Sequence, residues 1–414
     1  MAKLIMMKYP FILIRPIGKT SMSLLRNIKS KIKGNIKFVR KISLITTSCA
    51  LVPFCANSVD IAPTSLSKSE RNITAQLHLA DTGIPWGMVW LPNGDLLITL
   101  RDGELKRLKK GKVIAETISG LPEIAVGRQG GLLDIVVHPD YASNGWIYFS
   151  YAKPDHHGNK STAIMRAKLQ GKALTEQEDI YVAQAYGNKG NHFGSRLVFD
   201  NEGDLYFSIG DRGQRDKNPQ NITRDAGKIY RVRDDGGIPD DNPFVNNDEA
   251  KKAIYSYGHR NPQGMVKHPI TGDIWTHEHG PRGGDEINLI GKGKNYGWPV
   301  ISYGINYSGT EITELTQKKG MEQPLWYWDP SIAPSGMAFI TSEKYPEWQG
   351  NIVIGSLKFG QVVMVTLEGN KVVKAEVIKD ELTRVRNIKQ GPDGYVYVAV
   401  DGKGIFKLIP DKSL

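Results

Sequence analysis

Residues 86–100 read WGMVWLPNGDLLITL, and this stretch decides the fold. An apolar run reaches Leu91, reverses through Pro92-Asn93-Gly94-Asp95 and returns as a second apolar run. Proline and glycine supply the fixed and the left-handed backbone that a tight reversal needs. The flanking Trp, Val, Leu and Ile are strand formers, so the unit is a β-hairpin. The pattern recurs as LLDIVVHPDYASNGWIYFSY from Leu132, SRLVFDNEGDLYFSIGD from Ser195 and PQGMVKHPITGDIWTHEHG from Pro262. It returns again as SGMAFITSEKYPEWQGNIVIGSL from Ser335 and RNIKQGPDGYVYVAVD from Arg386. The units start roughly 45 to 75 residues apart, enough for four strands and their loops. Six such units close into a ring that protects their strand edges. The expected fold is therefore all-β, a six-bladed β-propeller over residues 76–414. A propeller has a central channel on which loops from every blade converge, but the fold alone leaves function open.

The formal charge of +11 does not point to nucleic acid. Eleven lysines and arginines precede Asp60, the first acidic residue, and they account for the whole excess. They belong to a leader, residues 1–56, whose apolar run Ile42–Ala56 follows Arg40 and Lys41. A basic segment before a short apolar one reads as an export signal cleaved after Ala56, with an uncleaved anchor as the alternative. The expected location is the periplasm, and no membrane-spanning segment is expected after the leader. Residues 57–75 read as a flexible lead-in. Both cysteines, Cys49 and Cys55, fall in the leader, so the mature chain uses neither disulfides nor thiols. A monomer is expected, with a core large enough to need no staples.

Several polar clusters fall between the strands. Gly190-Asn191-His192-Phe193-Gly194 puts a histidine just before an inner strand, where imidazole can take a proton near neutrality. Arg260-Asn261 sits at another blade entry, Lys358 follows Gly355-Ser356-Leu357, and Arg384-Val385-Arg386 places two guanidinium groups on one strand face. These cations either converge on the channel, which would suit a ligand with several carboxylates or phosphates, or form separate surface ion pairs. His277-Glu278-His279 resembles a zinc pair, but it lacks the His-Glu-x-x-His spacing and any cysteine partner. Oxygen donors are plentiful there instead. They are the carbonyls around Gly280-Pro281, the Glu286 carboxylate and the Asn295–Trp298 turn, a set that suits Ca²⁺. The acidic stretch Asp234–Asp241 lacks the pattern of an EF-hand loop.

The segments GNHFGSRLVFD, SYGHRNPQGM, EHGPRGGDEINLI, GKNYGWP, GSLK and GPDGYVYV stand here in the order seen in the quinoprotein glucose/sorbosone dehydrogenase family. The chain resembles its soluble aldose sugar dehydrogenase branch over roughly residues 80–410. The resemblance implies a six-bladed propeller that binds pyrroloquinoline quinone (PQQ) with calcium and oxidises aldose sugars at C1 to lactones. It implies that His192 is the general base. It implies further that Gln129, Arg260, Asn261, Tyr307, Ser356, Leu357, Lys358, Arg384, Val385 and Arg386 bind the cofactor. The Gly280 and Pro281 carbonyls match ligands of a calcium that bridges to PQQ, and Glu286 and Tyr296 match a second, structural calcium site. Reoxidation requires an external acceptor, a quinone or a cytochrome. One departure stands out: Asn191 occupies the position before His192 where the glucose dehydrogenase branch has aspartate, which leaves His192 expected to be less basic. The rival readings are a calcium-dependent lactonase or other hydrolase on the same fold, and a non-catalytic sugar-binding propeller.

Overall fold

The computed structural model describes residues 66–69 and 73–411. The leader, its cleavage position and most of the lead-in lie outside the described residues. All six hairpins read from the sequence are present, and each forms the two innermost strands of a blade. Blade one runs outward through Pro85–Trp90, Leu96–Leu100, Glu104–Leu108 and Glu116–Ile118. The inner hairpins of blades two to four are Leu132–Val137 with Trp146–Pro154, Leu197–Phe199 with Leu205–Ile209, and Pro262–Lys267 with Ile274–Glu278. Those of blades five and six are Pro334–Phe339 with Ile352–Ser356, and Val385–Gln390 with Val396–Val400.

Ring closure draws on both ends of the described chain. Blade six takes its outermost strand from Ile73–Ala80, which pairs antiparallel with Gly404–Pro410. Ser67–Lys68 adds a parallel edge to the outer strand of blade five. Order therefore begins before residue 76, the start expected from the sequence. Ile73 and Leu79 are buried against core residues, which holds this stretch as strand. The described residues belong to one compact unit. Helix is confined, among the described residues, to Tyr141–Asn144 and a 3-10 turn at Pro346–Trp348, both inside hairpin connections. None of these helices is long and apolar enough to cross a membrane.

Blades pack through apolar faces and are stitched by hydroxyls near the axis. In blade one the backbone amide of Gly87 donates to Thr99 Oγ1 (2.8 Å), and Thr99 in turn donates to the Leu133 carbonyl of blade two. Ser150 repeats the device toward the Ser195 carbonyl (2.7 Å), and Ser208 toward that of Pro262 (3.2 Å). Five of the six inner strands also carry a register shift near their first residues, at one end of the channel. Bulges of this kind end regular pairing and re-aim side chains.

The axis itself is plugged by charge. Arg196 and Asp134, both buried, pair at 3.2 Å between blades three and two. The same guanidinium donates to the backbone carbonyls of Gln263 (2.6 Å), Trp86 (3.3 Å) and Arg386 (3.2 Å), and lies 4.1 Å from the Trp86 ring centroid. Asp134 also accepts from the Leu197 amide at 3.0 Å. One side chain thus touches five of the six blades. Breaking such a pair from one side leaves an uncompensated charge in a dry site. Asp134→Ala should therefore lower unfolding stability by about 3–5 kcal/mol in a urea titration, and adding Arg196→Met should restore part of it.

Candidate active site

Two cavities open at the end of the channel where inner strands begin and their hairpin partners end. The larger, about 500 Å³, is lined by His192, Asp211, Arg260, Pro281, Trp298 and Tyr307, with Lys189 and Arg215 toward solvent. The smaller, about 210 Å³, is lined by Trp86, Arg101, Gln129, Asn261, Leu357, Arg384 and Arg386 among others. Arg260 and Asn261, consecutive in sequence, divide between the two.

His192 is held from three directions. Its backbone lies in the left-handed region at φ 55°, a conformation that costs a non-glycine residue of order 1 kcal/mol and needs outside support. The support comes from Gln129 Oε1, which accepts the His192 amide at 2.7 Å. Gly194 follows at φ 63°, where an added Cβ would come within 2.7 Å of the Gly210 nitrogen. Nδ1 of His192 meets Asp211 Oδ1 at 2.6 Å. Asp211 is in turn fixed by the Gly213 amide (2.7 Å) and by Trp298 Nε1 (3.0 Å). With Asp211 accepting Nδ1–H, the basic nitrogen is Nε2, on a side chain that lines the larger cavity.

The missing charge before His192 is therefore supplied elsewhere. Asn191 contributes its backbone carbonyl to Arg212, while Asp211, nineteen residues after His192, provides the carboxylate. Burial is the largest influence on His192 and pulls its pKa below the ordinary imidazole value, with the Asp211 contact opposing it. Burial alone would raise Asp211, but His192, Arg260 and the Gly213 amide outweigh it and keep its pKa low. A base already neutral below its usual pKa accepts protons across the whole neutral range.

Arg260 is buried, donates to the His279 carbonyl at 2.8 Å and lies 5.4 Å from the Trp298 ring centroid. Asn261 Oδ1 accepts the Gly194 amide at 3.1 Å, tying this segment to the histidine loop. Arg384 and Arg386 do share a face. Arg386 holds Asp401 through Nε (3.1 Å) and Nη2 (2.7 Å), and Arg384 reaches the same carboxylate at 3.4 Å. Arg101 joins them on the cavity wall, so three guanidinium groups line it, with Asp401 and Asp102 as the acids acting on Arg101. Burial is the main influence lowering Arg101, and Arg386 lowers it further. Leu357 lines this cavity and its carbonyl accepts Arg384 Nη1 at 3.3 Å. Ser356 spends its hydroxyl on the Ile332 carbonyl (2.7 Å), and Val385 buries its side chain in the core of blades five and six. Lys358 lies at the surface over the Phe359 ring and lines neither cavity. Tyr307 is 75% exposed at the mouth of the larger one.

The oxygen-rich segment also folds as a unit. Asp285 is buried and accepts hydrogen bonds from the Gly280 amide (2.8 Å), Ser331 Oγ (2.5 Å) and the Ala333 amide (2.8 Å). Gly280 is required there, because a Cβ would lie 2.2 Å from the Gly283 oxygen. Among the described residues no hydrogen-bond donor reaches the Gly280 or Pro281 carbonyl. Glu286 stands opposite Glu278 on the adjacent strand. Burial, then the Glu278 charge, pushes the Glu286 carboxyl well above its usual range. Asn288 Oδ1 beside them is buried without a partner. Two carboxylates and a free amide oxygen make a donor set that a divalent cation would neutralise. The Tyr296 ring stacks on His259 (4.6 Å), which donates to Glu278. His277 and His279 do not form a zinc pair. His277 is fully buried with neither ring nitrogen partnered, and His279 Nε2 donates to the Pro334 carbonyl at 2.6 Å.

Sequence reasoning missed Asp211, Trp298 and Arg101 as site residues. All lay within or beside segments already singled out. Arg101 and Asp211 each follow the second strand of a hairpin, and that position faces the site in a propeller.

Residues 82–408 match the family model described as glucose/sorbosone dehydrogenase. The aldose sugar dehydrogenase YliI of Escherichia coli is 44% identical over 323 residues, spanning 77% of this chain and 87% of that protein. The quinoprotein glucose dehydrogenase B of Acinetobacter calcoaceticus is 29% identical over 295 residues, 65% of this chain and 61% of that one. A crystal structure of the soluble E. coli aldose sugar dehydrogenase in its apo form superposes with a TM-score of 0.78 at 40% identity, covering 82% of this chain and all of that one.

The His192–Asp211 geometry makes a prediction about pH. The acid limb of kcat/KM for any reaction using this base should fall below pH 6.5, the ordinary imidazole value. Asp211→Asn removes the charge that raises His192, so the limb should move lower still while the rate drops by roughly 10²–10⁴-fold. A pH–rate profile of both proteins checks this, and coincident limbs would exclude the pair.

Proposed function

The chain belongs to the glucose/sorbosone dehydrogenase family, and from that premise we propose that it is a PQQ- and calcium-dependent aldose dehydrogenase. As a member of that family it is an oxidoreductase acting on CH–OH donors. The observation that supports the finer reading is the pairing of a half-buried His192 with buried Asp211 in one cavity and a surplus of guanidinium groups lining the cavity beside it. PQQ bears three carboxylates, and when bound it supplies an ortho-quinone that accepts hydride. Arg384, Arg386 and Arg101 are the residues to hold its carboxylates, with Asn261, Gln129 and Tyr307 around it. The Gly280 and Pro281 carbonyls are free to take a calcium ion beside it. Glu286, with Glu278 opposite, suits a second ion near the Tyr296 turn.

The chain's own residues then do the following. His192 Nε2 takes the proton from the anomeric hydroxyl of the sugar. Asp211 holds Nδ1–H throughout, so the ring keeps one tautomer and the imidazolium that forms is stabilised. Arg260 places fixed positive charge where negative charge develops. Loss of a proton from the hydroxyl and of hydride from C1 leaves a lactone. The open mouth, with Tyr307 and polar loops around it, makes few enclosing contacts with the sugar, so breadth toward aldoses follows. An external quinone or cytochrome takes the electrons, and the leader directs the chain to the periplasm.

Two outcomes test this reading. Titrating the protein with PQQ and Ca²⁺ should give a quinone absorption that glucose and other aldoses bleach. Arg386→Ala should weaken PQQ binding by about 2–5 kcal/mol, and an unchanged affinity would remove the arginines from the cofactor. Independently, Ca²⁺ should raise the melting temperature of the protein without PQQ, since a ligand of the folded state stabilises it by mass action. Glu286→Gln should abolish that rise, and melting indifferent to Ca²⁺ in the parent would remove the second site.

A further inference from the structure

The opposite face of the ring carries a cavity that the proposed reaction does not use. Pro85–Trp90 starts at the candidate active site and ends at this second cavity, about 17 Å away at the usual rise per strand residue. The second cavity, about 690 Å³, lies among the hairpin turns of blades six, one and two. Its walls are apolar and aromatic: Trp90 and Tyr397, 4.9 Å apart, with Leu91, Val137 and Tyr141. Its rim carries Lys109, Lys110, Lys112 and Lys407 against a single acid, Asp393.

That acid is already engaged, by Lys407 Nζ (2.6 Å) and the Tyr397 hydroxyl (2.9 Å). Lys109 is paired with Glu116 at 3.0 Å. Among the described residues no carboxylate meets Lys110 or Lys112. The stem of Lys110 lies across Gly94, where an added Cβ would come within 2.8 Å of its Cδ. Immediately beyond the rim, in the same turn, Val113 and Ile114 are 78% and 79% exposed.

Free cations on a rim select an anion, and an apolar floor selects one attached to hydrocarbon. The aliphatic pair decides the kind of partner. A soluble anion would use the lysines and leave Val113 and Ile114 in water at no benefit. A bilayer rich in anionic lipid accepts both, its headgroups meeting the lysines and its acyl boundary the Val-Ile tip. We propose that this face, centred on the Lys109–Ile114 turn, docks on an anionic membrane surface with a lipid phosphate at the cavity rim. Docking there leaves the His192 end of the channel turned away from the bilayer and open to sugar.

Vesicle flotation of residues 57–414 tests the proposal. This piece holds the whole closed ring, including the Ile73–Ala80 strand, and omits the leader, whose own basic and apolar residues would confuse the result. The protein should float with phosphatidylcholine vesicles containing phosphatidylglycerol, not with phosphatidylcholine alone, and high salt should release it. Lys110→Glu with Lys112→Glu should weaken the apparent affinity ~10-fold or more, since each lysine near an anionic surface accounts for a several-fold change. Val113→Ser with Ile114→Ser should weaken it by a smaller factor and leave the salt dependence intact. Thermal melting of each variant guards against unfolding. Absence of binding to anionic vesicles overturns the proposal, as does equal binding by the lysine variant. Saturable binding of inorganic phosphate without vesicle binding would assign the rim to a soluble anion instead, and also overturns it.

Discussion

The Arg196–Asp134 pair at the axis is the constraint on which the rest of the molecule depends. A propeller closes only if six wedge-shaped sheets meet at a common centre, and apolar packing sets their spacing without setting their rotation. Directional bonds do that here. Arg196 reaches carbonyls in blades one, four and six and a carboxylate in blade two, so the inner strands cannot slide against each other without losing several bonds together. The Thr99, Ser150 and Ser208 stitches add the same kind of constraint between neighbours. Buried charge is expensive unless fully paired, and this pair is surrounded by donors and acceptors that complete it.

Fixing the rotation of the blades is what builds the site. His192 enters from blade three, Gln129 from blade two, Arg260 from blade four, and Arg384 and Arg386 from blade six. The His192 amide bond to Gln129 and the Gly194 amide bond to Asn261 both cross blade boundaries. A shift of one blade by an ångström would break them and release His192 from its left-handed conformation. The electrostatics follow from the same closure. Burial keeps the histidine neutral, Asp211 keeps it oriented, and the arginines around Asp401 retain a net positive charge that suits an anionic ligand.

The two ends of the channel are chemically different because strands have direction. Entries to inner strands and exits from their hairpin partners gather at one end, where glycines and register shifts free the backbone to hold polar groups. The hairpin turns gather at the other end. There the chain needs only to reverse, which leaves its side chains available for contact with solvent or a surface. Lys109–Ile114 stands at that second end, in the outer connection of blade one.

What the sequence by itself determined was the set of local units. Alternating apolar runs around Pro-Asn-Gly, Asn-Glu-Gly and Pro-Asp-Gly turns specify hairpins because turn chemistry and side-chain period act over a few residues. Six of them, regularly spaced, implied the propeller, and the motifs around His192, Arg260 and Gly280 marked the blade entries. Only the tertiary structure decided the pairings across blades. Asp211 as the partner of His192, rather than Asn191 beside it, depends on where blade three's second strand ends relative to its first. Arg101 beside Arg386 depends on blades one and six meeting at the closure. Lys358, expected at the cofactor, stands at the surface and Val385 is buried in the core for the same reason: adjacent residues in a strand face opposite sides, and only closure of the ring chooses which side is the channel.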